Sequence, residues 1–360
     1  MSRKYHVTQQ DIRDVLLARG QKVSVNALVG FAKSKNILIS STQDRNELAR
    51  YVATIPFDNN DIEYLYDLIE YDQRREKTTS SRVKRQLPEK SIRDAVNKLQ
   101  EKRAHSNDVL TVISSPGAPT CILEYTYDEE DFGKARMLQV TRKKVRIEFE
   151  LGAKETVIRL PANARCEEAV DYILGIINEN TEEPFKVEKI DLSHLSSPHK
   201  RNYFFDSLMK NMDGMEPEDV IGVKISRLDE EDDDEFTDDE DVPVPCFIKK
   251  AALEGSSLLS QEEYHAFINK GFFISNMKWR AIDKTSSDLL KVEIEAGFAD
   301  QANCKKFKYD IKGVYTTEKD SAIFSDKRRP ASESERIKYL ALIEKSSECS
   351  IEGANRDDKI

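Results

Sequence analysis

The chain has 360 residues, of which 39% are hydrophobic and 34% charged, and its formal net charge is −10. That is enough apolar material for packed cores, so a wholly disordered chain is excluded and two or three domains of ordinary size are expected. No run of 18 apolar residues occurs, and the opening "MSRKYHVTQQ" lacks an apolar core, so neither a transmembrane helix nor a secretory leader is expected.

Thr8, with Asp11 three residues on, reads as a capping box, and Ile12, Val15 and Leu16 recur at helical spacing before the stop at Gly20. Ser24 caps a second helix with Val25, Leu28, Val29 and Ala32 on one face. Asn36 ends it, because Asn tolerates left-handed backbone better than most residues. "ILISSTQD" is an extended elbow. Thr42 or Asp44 caps a third helix carrying Leu48, Tyr51 and Val52, and a fourth helix starts near Asn60. Residues 1–72 are therefore expected to form an all-α domain.

The stretch "VNALVGFAKSKNILISSTQDRNELARYV" resembles the helix-extended-loop-helix unit of SAP-type DNA-binding domains, over residues 25–55. Leu28 and Phe31 in the first helix, Asn36 and Ile37 at the elbow, and Arg45, Glu47 and Leu48 in the second helix carry the likeness. Asn36 and Thr42 stand where that family's pattern has glycines. The resemblance implies two short helices packed at an angle, with the second helix's N-terminus facing outward. Its amides, with Lys33, Lys35, Arg45 and Arg50, would then meet the phosphates of double-stranded DNA. A helix–turn–helix formed by 8–19 and 25–35 is the other nucleic-acid reading. A helical dimerisation module in a protein–protein scaffold is the third.

Residues 1–105 hold 20 Lys+Arg against 14 Asp+Glu, so the remainder of the chain carries the acidic excess. A basic module joined to an acidic body is the natural reading. Within it, 73–106 is read as a basic linker and helix. Arg74, Arg75, Lys77, Arg82, Lys84 and Arg85 form a candidate phosphate track, and Ile92, Ala95, Val96 and Leu99 mark one helical face.

From Val109 the period changes from helical to alternating, clearest in "VRIEFEL". "CEEAVDYILGIINEN" and "SPHKRNYFFDSLMKNM" read as helices among strands, giving an α+β domain over 107–228. "DEEDDDEFTDDED" follows, with eleven acids in thirteen positions, and its mutual repulsion predicts a solvated, disordered linker over 229–245. It lacks the glycine of a calcium loop. The strands "FFISNMKWRAI", "LLKVEIEAGF" and "KKFKYDIKGVYT", "SAIF" as a further one, and the closing helix "SESERIKYLALIEKS", predict a β-rich α+β domain over 246–346. A polar tail occupies 347–360. The expected fold is thus multidomain: an N-terminal all-α helical domain followed by two α+β domains with mainly antiparallel sheets.

Catalytic signals are sparse. No phosphate loop, Gly-x-Ser-x-Gly or Gly-x-Gly-x-x-Gly occurs. His194 and His199 are five positions apart, with Pro198 between them, and His265 is solitary. The five cysteines, Cys121, Cys166, Cys246, Cys304 and Cys349, have no zinc or redox spacing and fit a reducing cytoplasm. "DLLKVEIEAGF" places Lys291, Glu293 and Glu295 on one strand face near Asp288, an order reversed from the usual metal-dependent nuclease. No catalytic, metal or cofactor residue is assigned. The expected function is that of a nucleic-acid-binding regulator or phage-defence accessory linking DNA to a protein partner. A divergent nuclease and a homodimeric scaffold are the alternatives.

Overall fold

Side-chain caps fix where the first helices start. The Thr8 amide donates to Asp11 Oδ2 at 2.8 Å, and the Asp11 amide donates back to Thr8 Oγ1 at 3.2 Å, completing the capping box of α1 (Gln9–Ala18). Ser24 accepts from the Ala27 amide and starts α2 (Val25–Ser34). Asn36 then turns left-handed, with φ 62°. Asp44 accepts from the amides of Asn46 and Glu47 to start α3 (Arg45–Val52), and α4 (Asn59–Ile69) follows.

The structure is a computed structural model and describes residues 6–69, 76–227, 250–255, 258, 262–286, 288–317 and 323–356. The elements after α4 are, in order, β1 (Thr78–Val83), α5 (Glu89–Lys102), β2 (Val109–Val112), β3 (Thr120–Glu130), β4 (Val140–Leu151), β5 (Thr156–Pro161), α6 (Ala164–Glu179), β6 (Val187–Lys189), α7 (Pro198–Lys210), β7 (Met215–Arg227), β8 (Lys250–Glu254), α8 (Glu262–Asn269), β9 (Phe272–Asp283), β10 (Leu290–Asp300), β11 (Lys305–Thr316) and α9 (Glu333–Arg356). The acidic run, "VPVPCF", Arg74 and Arg75 lie outside the described residues, as do Ser321 and Ala322 of "SAIF".

The chain divides into two units. One comprises 1–76, 96–112 and 123–146, and the other 77–95, 113–122 and 147–360. In the first, α1 to α4 bury Val15, Leu16, Leu28, Ala32, Leu48, Val52 and Leu65, with Phe31 stacked on Phe57 at 4.5 Å. Met137, from a turn between β3 and β4, joins the same core, and Arg136 reaches Asp11 at 3.3 Å. β2 and β3 also belong to this unit over Val109–Val112 and Leu123–Thr126. The helical segment therefore shares its unit with β-structure, where the sequence led us to expect an all-α domain.

The second unit is built on an antiparallel sheet in the order β4–β5–β1–β11–β10–β9–β7–β8, with β4 contributing its last residues and β6 pairing on β1. α7 and α9 cover one face. Phe204, Phe205 and Leu208 of α7 and Tyr339, Leu340 and Ile343 of α9 pack with Trp279, Phe298, Phe307 and Tyr309 in a single core. This corrects three expectations. The stretch read as linker contains β1, whose six residues pair fully with β5. "TTSSRV" has no apolar alternation, so the strand forms because it is paired along both edges, not because it shows a hydrophobic face. Next, β7 pairs with β8 and β9 from beyond the acidic run, so 229–245 does not separate two sheets. Finally, α9 continues through the expected polar tail to Arg356, burying Ser346, Ser347, Ser350 and Ala354. Small residues there let α7 come close: the Ser346 hydroxyl donates to the Leu208 carbonyl at 2.8 Å. Their hydropathy is that of a tail, but their size suits a helix contact.

Candidate functional site

The sequence-derived basic residues fall into two groups. Lys33, Lys35, Arg45 and Arg50 belong to the first unit, and Lys77, Arg82, Lys84 and Arg85 to the second. Most are already engaged. Lys35 holds Asp61 at 2.5 Å and Asp58 at 3.3 Å. Arg45 is a packing residue: its guanidinium donates to the carbonyls of Val23 (3.1 Å) and Leu16, tying α3 to α1. The N-terminal amides of α3 are taken by the Asp44 carboxylate, with Glu47 in the first turn, so that end of the helix presents negative charge where a phosphate would sit. Lys33 and Arg50 are exposed, with no ion-pair partner among the described residues. In the second unit Arg82 pairs with Glu155 and Glu348, Lys84 with Glu188 at 2.9 Å, and Arg85 donates to the Glu183 carbonyl at 3.0 Å.

The histidines do not converge on a site. His194 contacts Asn355 Oδ1 at 2.8 Å, His199 lies in α7 and His265 in α8. No group of three or more His, Cys, Asp or Glu suited to hold a metal ion occurs among the described residues. Glu293 and Glu295, the carboxylates of the nuclease reading, are wrapped in cations instead. Glu293 accepts from Tyr315 at 2.7 Å, meets Lys278 at 2.9 Å and also pairs with Arg328. Burial pushes its pKa up, but the hydrogen bonds from Lys278 and Tyr315 outweigh it and hold the carboxyl below its usual range. Glu295 binds Lys77 at 2.5 Å and Lys312 at 2.9 Å. There, too, burial pushes up, but the two ammonium groups win, bringing the pKa down to about 2.

The face of β7, β9, β10 and β11 opposite the core can be read in rows, because residues paired across an antiparallel sheet share a face. One row runs Glu216–Ile282–Lys291–Tyr315, and the next Asp219–Arg280–Glu293–Gly313. Then come Gly222–Lys278–Glu295–Asp310 and Lys224–Asn276–Gly297–Lys308. Charge changes along the strands. The first row balances acid with base, with Lys291 spoken for by Glu218 at 2.6 Å, and the next two each hold two acids to one base. The last row has two lysines and no carboxylate. Its centre is close-packed: Gly297 and Asn276 are both buried, and a Cβ on Gly297 would lie 2.6 Å from the Asn276 Cα.

Lys224 and Lys308 stand at the two ends of this row, three strand spacings or about 14 Å apart at the backbone. Neither has an ion-pair partner among the described residues. Burial lowers the Lys308 pKa, and the neighbouring charges of Lys77 and Lys224 lower it further against the opposing pull of Glu295. Like charges gathered on one surface are unfavourable unless an anion joins them. Sequence reasoning missed both lysines. Each sits at an outward position of a strand, in "VIGVKIS" and "KKFKYD", but which strands lie side by side is not written in either segment. No protein-family model matches the chain, and no curated protein matches it.

Proposed function

We propose that this protein binds nucleic acid through its phosphate backbone, and that the contact is the lysine-ended row on the outer face of the second unit's sheet. The observation that carries the reading is the row Lys224–Asn276–Gly297–Lys308, which holds two cations and no carboxylate. Lys77, Lys278 and Lys312, in and beside the adjacent row, are each shared with an acid, so the two row ends carry the contact. Such a surface recognises phosphate charge and not base sequence. Lys33 and Arg50 are the residues through which the helical segment would add to it; Arg45 and Lys35 serve its internal packing and ion pairs.

The test is fluorescence anisotropy of a labelled duplex, and of a labelled single strand, with the full chain across a salt series. Wild type is expected to bind with a steep salt slope. Replacing Lys224 and Lys308 together by Glu should weaken binding about tenfold or more and make the slope shallower by about two ions. Lys33→Glu with Arg50→Glu should matter less. If only the latter pair weakens binding, the contact lies on the helical segment; if wild type fails to bind at low salt, the nucleic-acid reading falls.

A scaffold reading draws on a different observation. Leu38, in the elbow between α2 and α3, is 88% exposed. Its test is the mass of the full chain against concentration, compared with Leu38→Ser.

A further inference from the structure

The strand β1 changes partner along one edge. Its other edge is occupied throughout by β5. On the opposite edge Thr78 pairs with Tyr309 of β11, whereas Ser81 to Val83 pair with Val187 to Lys189 of β6. Between these two pairings, at Thr79 and Ser80, the sheet opens, and a cavity of about 290 Å³ lies at the opening. Pockets near this size hold small molecules. Thr79 is tied down there by the bond from its hydroxyl to the Phe307 carbonyl at 2.7 Å.

The lining combines an apolar floor with a rim of both charge signs. Leu160, Val170, Ile190 and Phe307 supply the floor. On the rim, Lys189 is held by Asp171 at 3.0 Å, and Lys306 faces Glu167 at 3.9 Å. Lys305 and Asp191 have no ion-pair partner among the described residues; Asp191 accepts only the Ser193 amide, at 2.7 Å. Asp300, also on the rim, accepts from the Asn303 amide at 3.2 Å and stands opposite Lys305 in the β10–β11 register. The rim therefore offers one ammonium and two carboxylates outside ion pairs among the described residues. Two further observations point to a ligand. Cys304 and Lys306, on either side of Lys305, both take left-handed backbone, with φ 52° and 59°, a conformation that side chains other than Gly and Asn rarely adopt and that collects at functional sites. Ser81, which lines the cavity and is only 4% exposed, has a buried hydroxyl with no hydrogen-bond partner.

We propose that this cavity binds a small zwitterion of the α-amino-acid class with an apolar side chain. Its carboxylate meets Lys305, its ammonium meets Asp191, and its side chain covers the apolar floor. A phosphate-bearing ligand fits less well, because Glu167, Asp171, Asp191 and Asp300 all contribute to the lining and would repel it. A plain hydrocarbon would leave Lys305 and Asp191 without a counter-charge.

Isothermal titration calorimetry of the full chain tests this with three probes of one shape: L-leucine, 3-methylbutylamine, which lacks the carboxylate, and 4-methylpentanoate, which lacks the ammonium. Leucine should bind at least tenfold more tightly than either. In Lys305→Ala leucine should bind no better than the amine, and in Asp191→Asn no better than the carboxylate. Neither residue is buried, so both variants should keep the wild-type circular dichroism and melting profile. Equal affinity for all three probes, or no heat from leucine in the millimolar range, would overturn the proposal.

Discussion

Asn36 shows how one residue can be read from both ends. Its φ of 62° is the left-handed turn that stops α2 and sends the chain into the elbow, where the Ile37 amide donates back to the Ala32 carbonyl at 2.9 Å. A β-branched residue would pay the steric cost of that conformation in full, so Asn36→Val should lower stability by about 1–2 kcal/mol, whereas Asn36→Gly should leave it unchanged or slightly higher. Urea midpoints of the two variants check this. Glu295 makes a second prediction at this scale. Its carboxyl pKa is near 2 when folded against a usual 4.5, so its ion pairs with Lys77 and Lys312 stabilise the fold fully above the unfolded value. The contribution is lost as pH falls from about 4.5 towards 2 and is absent below both values. Glu295→Gln should therefore be less stable than wild type at neutral pH and converge on it near pH 2, as followed by denaturant unfolding across that window.

Among the elements, α9 carries more of the second unit than its sequence advertises. Its Glu344 is buried against Arg159 of β5, with Nε 2.6 and 2.9 Å from the two carboxylate oxygens, and accepts the Tyr309 hydroxyl of β11 at 2.5 Å. Arg159 also meets Glu150 of β4 at 2.7 Å. A buried guanidinium stripped of its main counter-charge is costly, so Glu344→Ala should destabilise by about 3–5 kcal/mol, and Glu344→Gln by less because one acceptor oxygen remains. Thermal unfolding of both variants would reveal the order. β1 shows the reverse relation between sequence and role. A polar six-residue stretch lies among the paired strands because β5, β6 and β11 offer it partners on both sides, and the change of partner on one edge is what leaves the cavity.

At the scale of the whole chain, the acidic run joins β7 to β8 in sequence and supplies eleven negative charges to a molecule of net −10. A tethered polyanion lowers the chain's attraction for phosphates. On the proposed phosphate contact, deleting 229–241 should raise affinity for nucleic acid several-fold at low salt and make little difference once the Debye length falls to about 3 Å near 1 M salt. The anisotropy assay reads this directly. Among the described residues no helix is long and apolar enough to cross a membrane. Much of the local structure was legible in the sequence. The capping box at Thr8, the cap at Ser24, the left-handed stop at Asn36, the apolar stripe of α6 and the alternation at the end of β4 all depend on neighbours a few positions away, and hydrogen-bond reach and side-chain period are local properties. The candidate sites depend on partners far along the chain. Lys224 meets the row of Lys308 only because β7, β9, β10 and β11 lie side by side, Arg82 is consumed by Glu348 from α9, and Lys305 rims a cavity opened by β1. Charge was readable residue by residue, but whether a given charge is paired or left for a ligand is a matter of tertiary distance, and only the fold sets that.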